Sequence, residues 1–230
     1  MAISAVSGAP YASSMATGEA SETGDDPSES GLRHTRGSAY YARNAEWLAK
    51  RYESLSFETV HQESLSFLPP APARVADIGA GTGRDAAALT ERGYEVVAVE
   101  PVARMREVAQ RLHADAPVVW LEGALPHLAC LNGPFDVLLV SAVWMHLAES
   151  DREPAMRRLH ELLTPGGVLF LTVRHGPGPE EQQLFEVPDD ETLDLARACG
   201  LRPVNVWEGS DRLGRGQVCW TRLVLSRECA

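Results

Sequence analysis

The chain has 230 residues, four cysteines and a formal net charge of −11, a length that fits one domain and a tail. That charge argues against a surface tracking nucleic-acid phosphates, and the cysteines (Cys130, Cys199, Cys219, Cys229) show no C-x-x-C spacing, so neither a metal site nor a disulfide framework is indicated. No apolar run approaches the ~20 residues that span a bilayer, and the N-terminus lacks the basic and apolar regions of a secretory signal, which points to the cytoplasm.

Residues 1–37 are rich in Ser, Gly, Ala, Thr, Glu and Asp, with few large aliphatic side chains. Such a segment buries too little apolar area to offset its ordering entropy, and a disordered tail is expected. From Ser38 the texture changes. Tyr40, Tyr41, Ala45, Trp47, Leu48, Tyr52 and Leu55 recur at roughly helical spacing. A second helix is expected over Phe57 to Phe67, stopped by Pro69-Pro70. Strand and helix patterns then alternate. Strands are expected at Arg74–Ile78, Glu95–Val99, Pro117–Leu121, Phe135–Val140, Val168–Val173, Leu201–Trp207 and Gln217–Leu225. Helices are expected at Asp85–Arg92, Pro101–His113, Asp151–Leu163 and Asp189–Cys199, the last ended by Gly200. The nearly unbroken apolar run F-D-V-L-L-V fits a strand buried on both faces. This alternation argues an α/β, doubly wound sheet with ligands at the carboxyl ends of its strands.

The chemistry begins at Arg74 to Ala87, R-V-A-D-I-G-A-G-T-G-R-D-A-A. A strand, a turn with Gly79, Gly81 and Gly83, and a helix open a nucleotide-binding βαβ unit. Glycines there let a ligand lie against bare backbone, and the helix start offers free N–H groups to an anionic group. Asp77 is an acid inside an apolar strand and needs a cationic partner or hydrogen bonds; a ligand ammonium would supply both. Glu100 ends the second strand in V-A-V-E-P, beside Pro101, where a carboxylate accepts hydrogen bonds from ribose hydroxyls. Arg84 is expected to pair with an acid near the glycine turn. The G-x-G-x-x-G fingerprint starting at Gly79 fails at Arg84, whereas Gly81-x-Gly83-x-x-Ala86 meets the looser G-x-G-x-x-A form. A nucleotide-dependent oxidoreductase on the same sheet therefore stays as an alternative, beside a non-catalytic cofactor-binding relative.

The D-x-G-x-G-x-G pattern with Glu100 resembles motif I and the acidic loop of class I S-adenosylmethionine-dependent methyltransferases. Three further stretches share the resemblance: V-V-W-L-E-G-A-L-P-H-L (Val118–Leu128), F-D-V-L-L-V-S-A-V-W-M-H-L (Phe135–Leu147) and L-L-T-P-G-G-V-L-F-L-T-V-R-H-G-P (Leu162–Pro177). The resemblance covers the chain from about Ala39 to its end. It implies a Rossmann-like, seven-stranded sheet, mostly parallel with an antiparallel last strand. Residues 38–70 would form an N-terminal helical lid and residues 71–230 the core. It implies S-adenosyl-L-methionine as cofactor: Asp77 and Gly79, Gly81 and Gly83 at its amino-acid end, Glu100 and Pro101 at the ribose. Glu122, Gly123 and Ala124 would hold the adenine, and Ser141 would approach through its backbone. Tyr40, Tyr41, Arg51 and His61 are lid candidates, Tyr40, Tyr41, Trp144 and Arg174 candidates to touch substrate, and His146 and His175 candidate catalytic bases. The implied activity is methyl transfer to an O, N or C nucleophile on a small molecule, by a monomer or homodimer, with no nucleic-acid or membrane partner.

Overall fold

Apolar alternation decides where the sheet faces point. The computed structural model describes residues 36–229, which lie in the compact unit Leu32–Ala230. Its strands are β1 (Arg74–Ile78), β2 (Glu95–Val99), β3 (Val119–Leu121), β4 (Phe135–Val140), β5 (Leu163–His175), β6 (Leu201–Ser210) and β7 (Cys219–Arg227). They form one sheet in the order β3-β2-β1-β4-β5-β7-β6. The first five run parallel, and β7 lies antiparallel between β5 and β6. The expected seven-stranded, mostly parallel sheet with an antiparallel last strand is what forms.

Successive side chains of a strand point to opposite faces. On one face Val75, Val137 and Leu139 pack with Ala86, Leu89 and Phe57. On the other Ala76, Ile78, Leu138 and Val140 pack with Leu159, Leu162 and Ala196. The covering helices are α2 (Phe57–His61) and α3 (Arg84–Glu91) on the first face, α5 (Glu149–Leu162) and α6 (Asp189–Ala198) on the second. Because β1 pairs with β2 on one side and β4 on the other, the strand order reverses at its carboxyl end. That reversal opens the crevice in which doubly wound sheets take ligands.

Two further helices, α1 (Arg36–Tyr52) and α4 (Ala103–Leu112), pack together. Ala45 and Ala49 of α1 meet Met105 and Val108 of α4, and Glu46 receives Arg104 at 2.9 Å and Arg111 at 2.6 Å. At its other end α1 packs on a 3₁₀ turn, Glu180–Gln182, and Gly37 N–H donates to Gln183 Oε1 at 3.3 Å. The helix thus reaches from the β2 side of the sheet to the segment that follows β5.

Element boundaries depart from the sequence expectation for local reasons. The expected tail lies outside the described residues except for Arg36 and Gly37, which open α1. The helix expected over Phe57 to Phe67 breaks after His61, because the Ser64 N–H and hydroxyl both close on the His61 carbonyl (2.8 and 3.0 Å). Helix α4 starts at Ala103 rather than Pro101, since Glu100 Oε1 accepts the Val102 N–H at 2.9 Å and holds that residue in a turn. Strand β5 begins earlier than expected. Leu163 pairs with Phe135, the next four residues bulge out, and Val168 resumes pairing at Val137.

Helices α5 and α6 are joined by buried Arg152. It donates to both Glu191 carboxylate oxygens (2.8 and 2.7 Å) and to the carbonyls of Leu147 (3.3 Å) and Glu186 (3.1 Å). Arg152→Ala removes this tie between the helices, leaves the buried Leu147 carbonyl without this donor and frees the part-exposed Glu191; it is expected to cost about 1–3 kcal/mol, read by equilibrium denaturation.

Candidate functional site

The glycine turn assigns its three residues different tasks. Gly79, Gly81 and Gly83 all have positive φ (73°, 56° and 82°). A Cβ on Gly79 would lie 2.3 Å from Val143 Cγ2, so that residue is glycine because β4's following loop presses on it. A Cβ on Gly83 would meet Trp120, Ala109 and His113 at 3.1 to 3.2 Å, so its bare face serves helix packing and not a ligand. Of the three only Gly81 has room for a Cβ, its nearest neighbours being Gly79 O and Met105 Cε at 3.9 Å.

Three carboxyl groups surround this turn. Glu100 Oε2 accepts the Gly81 N–H at 2.9 Å while its Oε1 holds Val102, so one side chain ties the ends of β1 and β2 together. Burial raises its pKa, against the pull of the Val102 and Gly81 amides. Asp85, in the first turn of α3, is buried with both oxygens in ion pairs, Oδ2 to His61 Nε2 and Oδ1 to Arg84 Nε, each at 2.7 Å. Burial pushes the Asp85 carboxyl up, but His61 and Arg84 overcome it and hold the group well below the usual carboxylate range. Asp77 is the uncompensated one. It is 2 % exposed, it accepts a backbone hydrogen bond at Ala86, and its Oδ2 is buried without a partner. Burial first, and then the charge of Asp85, push its pKa well up.

The other side of the crevice is built from α1 and from the segments that follow β4, β5 and β6. The Tyr41 hydroxyl lies 3.1 Å from His146 Nε2, with the rings edge to face. Burial lowers the His146 pKa, opposed by hydrogen bonds to the backbone of Gln182 and Gln183. Burial raises that of Tyr41, and nearby Tyr52 and Glu100 add to it. Tyr40 stacks edge-on against Tyr41, with ring centroids 5.6 Å apart. Arg174, 8 % exposed near the end of β5, donates to the carbonyls of Gly176 (2.8 Å) and Pro177. Ala142, after β4, is held at φ 60° with its N–H on Thr172 Oγ1 at 2.8 Å, next to half-buried Ser141.

Several expected roles are corrected. Trp144 does not face the crevice. Its ring is fully buried in the core and its Nε1 donates to Thr192 Oγ1 at 3.1 Å. His175 follows Arg174 and so points to the opposite face of β5, where its Nε2 lies 3.1 Å from Asp189 Oδ1 and 3.0 Å from Thr221 Oγ1. It anchors the start of α6 and is not placed to serve as a base. His61 is spent on Asp85, and Arg51 lies over the exposed Trp47 ring, 5.3 Å from its centroid. Glu122 is exposed at the end of β3 and paired with Arg106, which also donates to the Glu100 carbonyl at 2.5 Å. Gly123 sits where a Cβ would strike Cys130 and Val99, Ala124 is half-buried after it, and Pro101 is half-buried between Glu100 and α4. Tyr52 and Asp85 were not expected in the site. Tyr52 shows in the sequence only as one of the helical aromatics, and Asp85 only as an acid at a helix start.

Among the described residues no helix is long and apolar enough to cross a membrane, and no group of three His, Cys, Asp or Glu side chains could hold a metal ion.

Residues 76–171 match the family described as a methyltransferase domain. An uncharacterised methyltransferase of Oceanobacillus iheyensis is 27% identical over 56% of this chain and 56% of its own. One from Mycobacterium bovis is 39% identical over 47% of this chain and 43% of its own. A cypemycin N-terminal methyltransferase of Streptomyces is 33% identical over 61% of this chain and 56% of its own. The chain spans about half the length of the curated relatives it matches. Among solved structures, a TehB-like S-adenosylmethionine-dependent methyltransferase of Corynebacterium glutamicum superposes with a TM-score of 0.62 at 20% identity, over 83% of this chain and 98% of that one. The 1,6-didemethyltoxoflavin-N1-methyltransferase of Burkholderia thailandensis, solved with S-adenosylhomocysteine, gives 0.56 at 23% identity, over 80% and 90%.

Trp144→Phe removes the indole N–H from Thr192 and leaves a small void, at an expected cost of about 1–3 kcal/mol in denaturant unfolding. A variant as stable as the parent would return the ring to the crevice.

Proposed function

We propose that the chain, whose residues 76–171 match a methyltransferase domain, is an S-adenosylmethionine-dependent methyltransferase for an O, N or C nucleophile on a small molecule. The observation that carries this is the unpartnered Oδ2 of Asp77 beside the bare Gly81 backbone. A cofactor with an ammonium and a sulfonium brings positive charge to a turn already crowded by Asp77, Asp85 and Glu100. A dinucleotide would bring its pyrophosphate to the same turn, beside a buried, unpartnered acid that offers it no positive charge. The S-adenosylhomocysteine held by the Burkholderia neighbour supports the same choice.

On this reading Asp77 receives the ammonium and Gly81 offers its backbone to the amino-acid end. Glu100 takes the ribose hydroxyls with lone pairs not used by Gly81 and Val102, Pro101 lines that corner, and Glu122 to Ala124 border the adenine. Ser141 and the strained Ala142 border the reacting methyl by backbone. The bound cofactor supplies a methyl group that is already a good electrophile. The protein's task is to hold the nucleophile in line and keep water out. Helix α1 closes the crevice with Tyr40 and Tyr41. His146, kept neutral by burial, accepts a hydrogen bond from Tyr41, so any proton leaving the nucleophile passes through the phenol to the imidazole. Nucleic-acid and membrane partners play no part in this reading, and a cytoplasmic monomer or homodimer is part of it.

Calorimetric titration is expected to give micromolar binding of S-adenosylhomocysteine and none of a nicotinamide dinucleotide; the reverse result sinks the reading. Glu100→Ala is expected to weaken that binding about tenfold or more. Asp77→Asn has two opposite effects. The folded Asp77 carboxyl binds its proton more tightly than the unfolded one, so its contribution to stability falls as pH rises above about 3.9. The neutral amide escapes that loss. Asp77→Asn should therefore raise the melting temperature of the unliganded protein at pH 7 and abolish S-adenosylhomocysteine binding. A variant that melts lower and still binds would contradict both halves.

A further inference from the structure

We propose that the methyl acceptor carries a carboxylate or phosphate, and that Arg174 and Arg215 bind it at the carboxyl end of β5; the inference rests on the methyltransferase reading of the same crevice. Arg174 is nearly buried, and among the described residues no carboxylate lies within ion-pair distance of it. Its known partners are two carbonyl oxygens of the chain that follows it. Taking a guanidinium out of water is costly, two neutral carbonyls do not balance its charge, and Asp211, the carboxylate that acts on it, is already held by Arg215 and Trp220. An anionic group would balance it.

A second cation sits on the same side. Arg174 pairs across the sheet with Trp220 of β7. Arg215, in the turn between β6 and β7, lies over that indole, 6.0 Å from the ring centroid. Trp220 Nε1 and Arg215 share Asp211, the indole at 2.9 Å, and Arg215 Nε is buried with no acceptor. Burial and the charge of Arg215 both lower the Arg174 pKa, against the pull of Asp211, so the two guanidiniums lie close enough to repel. Next to them Arg212 pairs with Glu63, and Arg222 Nε lies 3.9 Å from the same carboxylate. Four guanidiniums thus face two carboxylates in a chain whose net charge is −11. Positive charge gathered against that background is placed, not incidental.

The position fits an acceptor. Tyr41, hydrogen-bonded to His146 at 3.1 Å, lies close enough to both Glu100 and Arg174 to feel their charges. It therefore stands between the cofactor's ribose corner and the guanidinium. A small molecule whose anionic end rests on Arg174 and Arg215 has its other end at Tyr41 and His146, where the methyl must arrive. A guanidinium has five N–H donors in a planar fork. Arg174 spends two on carbonyls and keeps others for the oxygens of a carboxylate or phosphate.

The test uses the full chain saturated with S-adenosylhomocysteine and two probes, sodium benzoate and inorganic phosphate, each against sodium chloride at equal ionic strength. The parent is expected to gain thermal stability from at least one probe beyond the chloride control. Arg174→Gln and Arg215→Gln are each expected to bind that probe about tenfold or more weakly, while the remote, exposed Arg157→Gln responds as the parent does. A response to benzoate alone assigns a carboxylate, to phosphate alone a phosphate ester, and to both the shared anion chemistry. No response beyond chloride, or one that both Arg174→Gln and Arg215→Gln retain, overturns the proposal. Should Arg174→Gln fail to fold, Arg215→Gln decides alone. The cofactor reading is scored separately. Without S-adenosylhomocysteine binding, an anion response that depends on Arg174 would keep the anion site and discard the methyltransferase.

Discussion

Three carboxyl groups, from β1, α3 and the residue after β2, are gathered around one glycine turn, and the rest of the ligand end is arranged around their repulsion. Asp85 is neutralised from within by His61 and Arg84. Glu100 is held by two backbone amides. Asp77 has neither remedy for its second oxygen. A protein selected only for stability would place an apolar residue there, since a buried acid without a partner is among the costlier single features a core can hold. That cost marks a site whose balance is completed by something the chain does not contain.

The same logic links the N-terminal helices to the turn. His61 reaches Asp85 from α2, and Arg84 donates to the Tyr52 carbonyl at the end of α1 at 3.1 Å. Neutralising Asp85 therefore also fixes where the N-terminal helices sit. The aromatic face of α1 follows from that anchoring, with Tyr41 carried to His146 and Tyr52 toward Arg174. Local charge balance and closure of the crevice are one structural problem with one solution.

Much of this was legible in the sequence. β1, β2 and β4 have the expected bounds, because five- and six-residue apolar runs between glycines and turns leave little choice of register. Asp77 and Glu100 were legible because an acid at the end of an apolar strand has few structural explanations, and Arg84 does pair with an acid near the turn. Side-chain direction past a strand end was not legible. Trp144 and His175 occupy loop or strand-end positions that look open in one dimension, yet the first is taken by the core through Thr192 and the second by Asp189. Both outcomes depend on α6, some forty-five residues downstream of Trp144. The β6–β7 turn with Arg212 and Arg215 carried no motif, and its place beside β5 follows from β7 inserting between β5 and β6.

The crevice is divided in sequence as well as in space. The family-matched stretch ends at residue 171, just short of Arg174, and begins after the whole of α1. The candidate cofactor residues, from Asp77 to Ser141, fall inside it, whereas Tyr41, Tyr52, Arg174 and Arg215 all fall outside. Substitutions confined to those two outer segments would therefore reshape that side of the crevice and leave the matched stretch unchanged. Paralogues that look alike through the middle of the chain can then work on unrelated compounds.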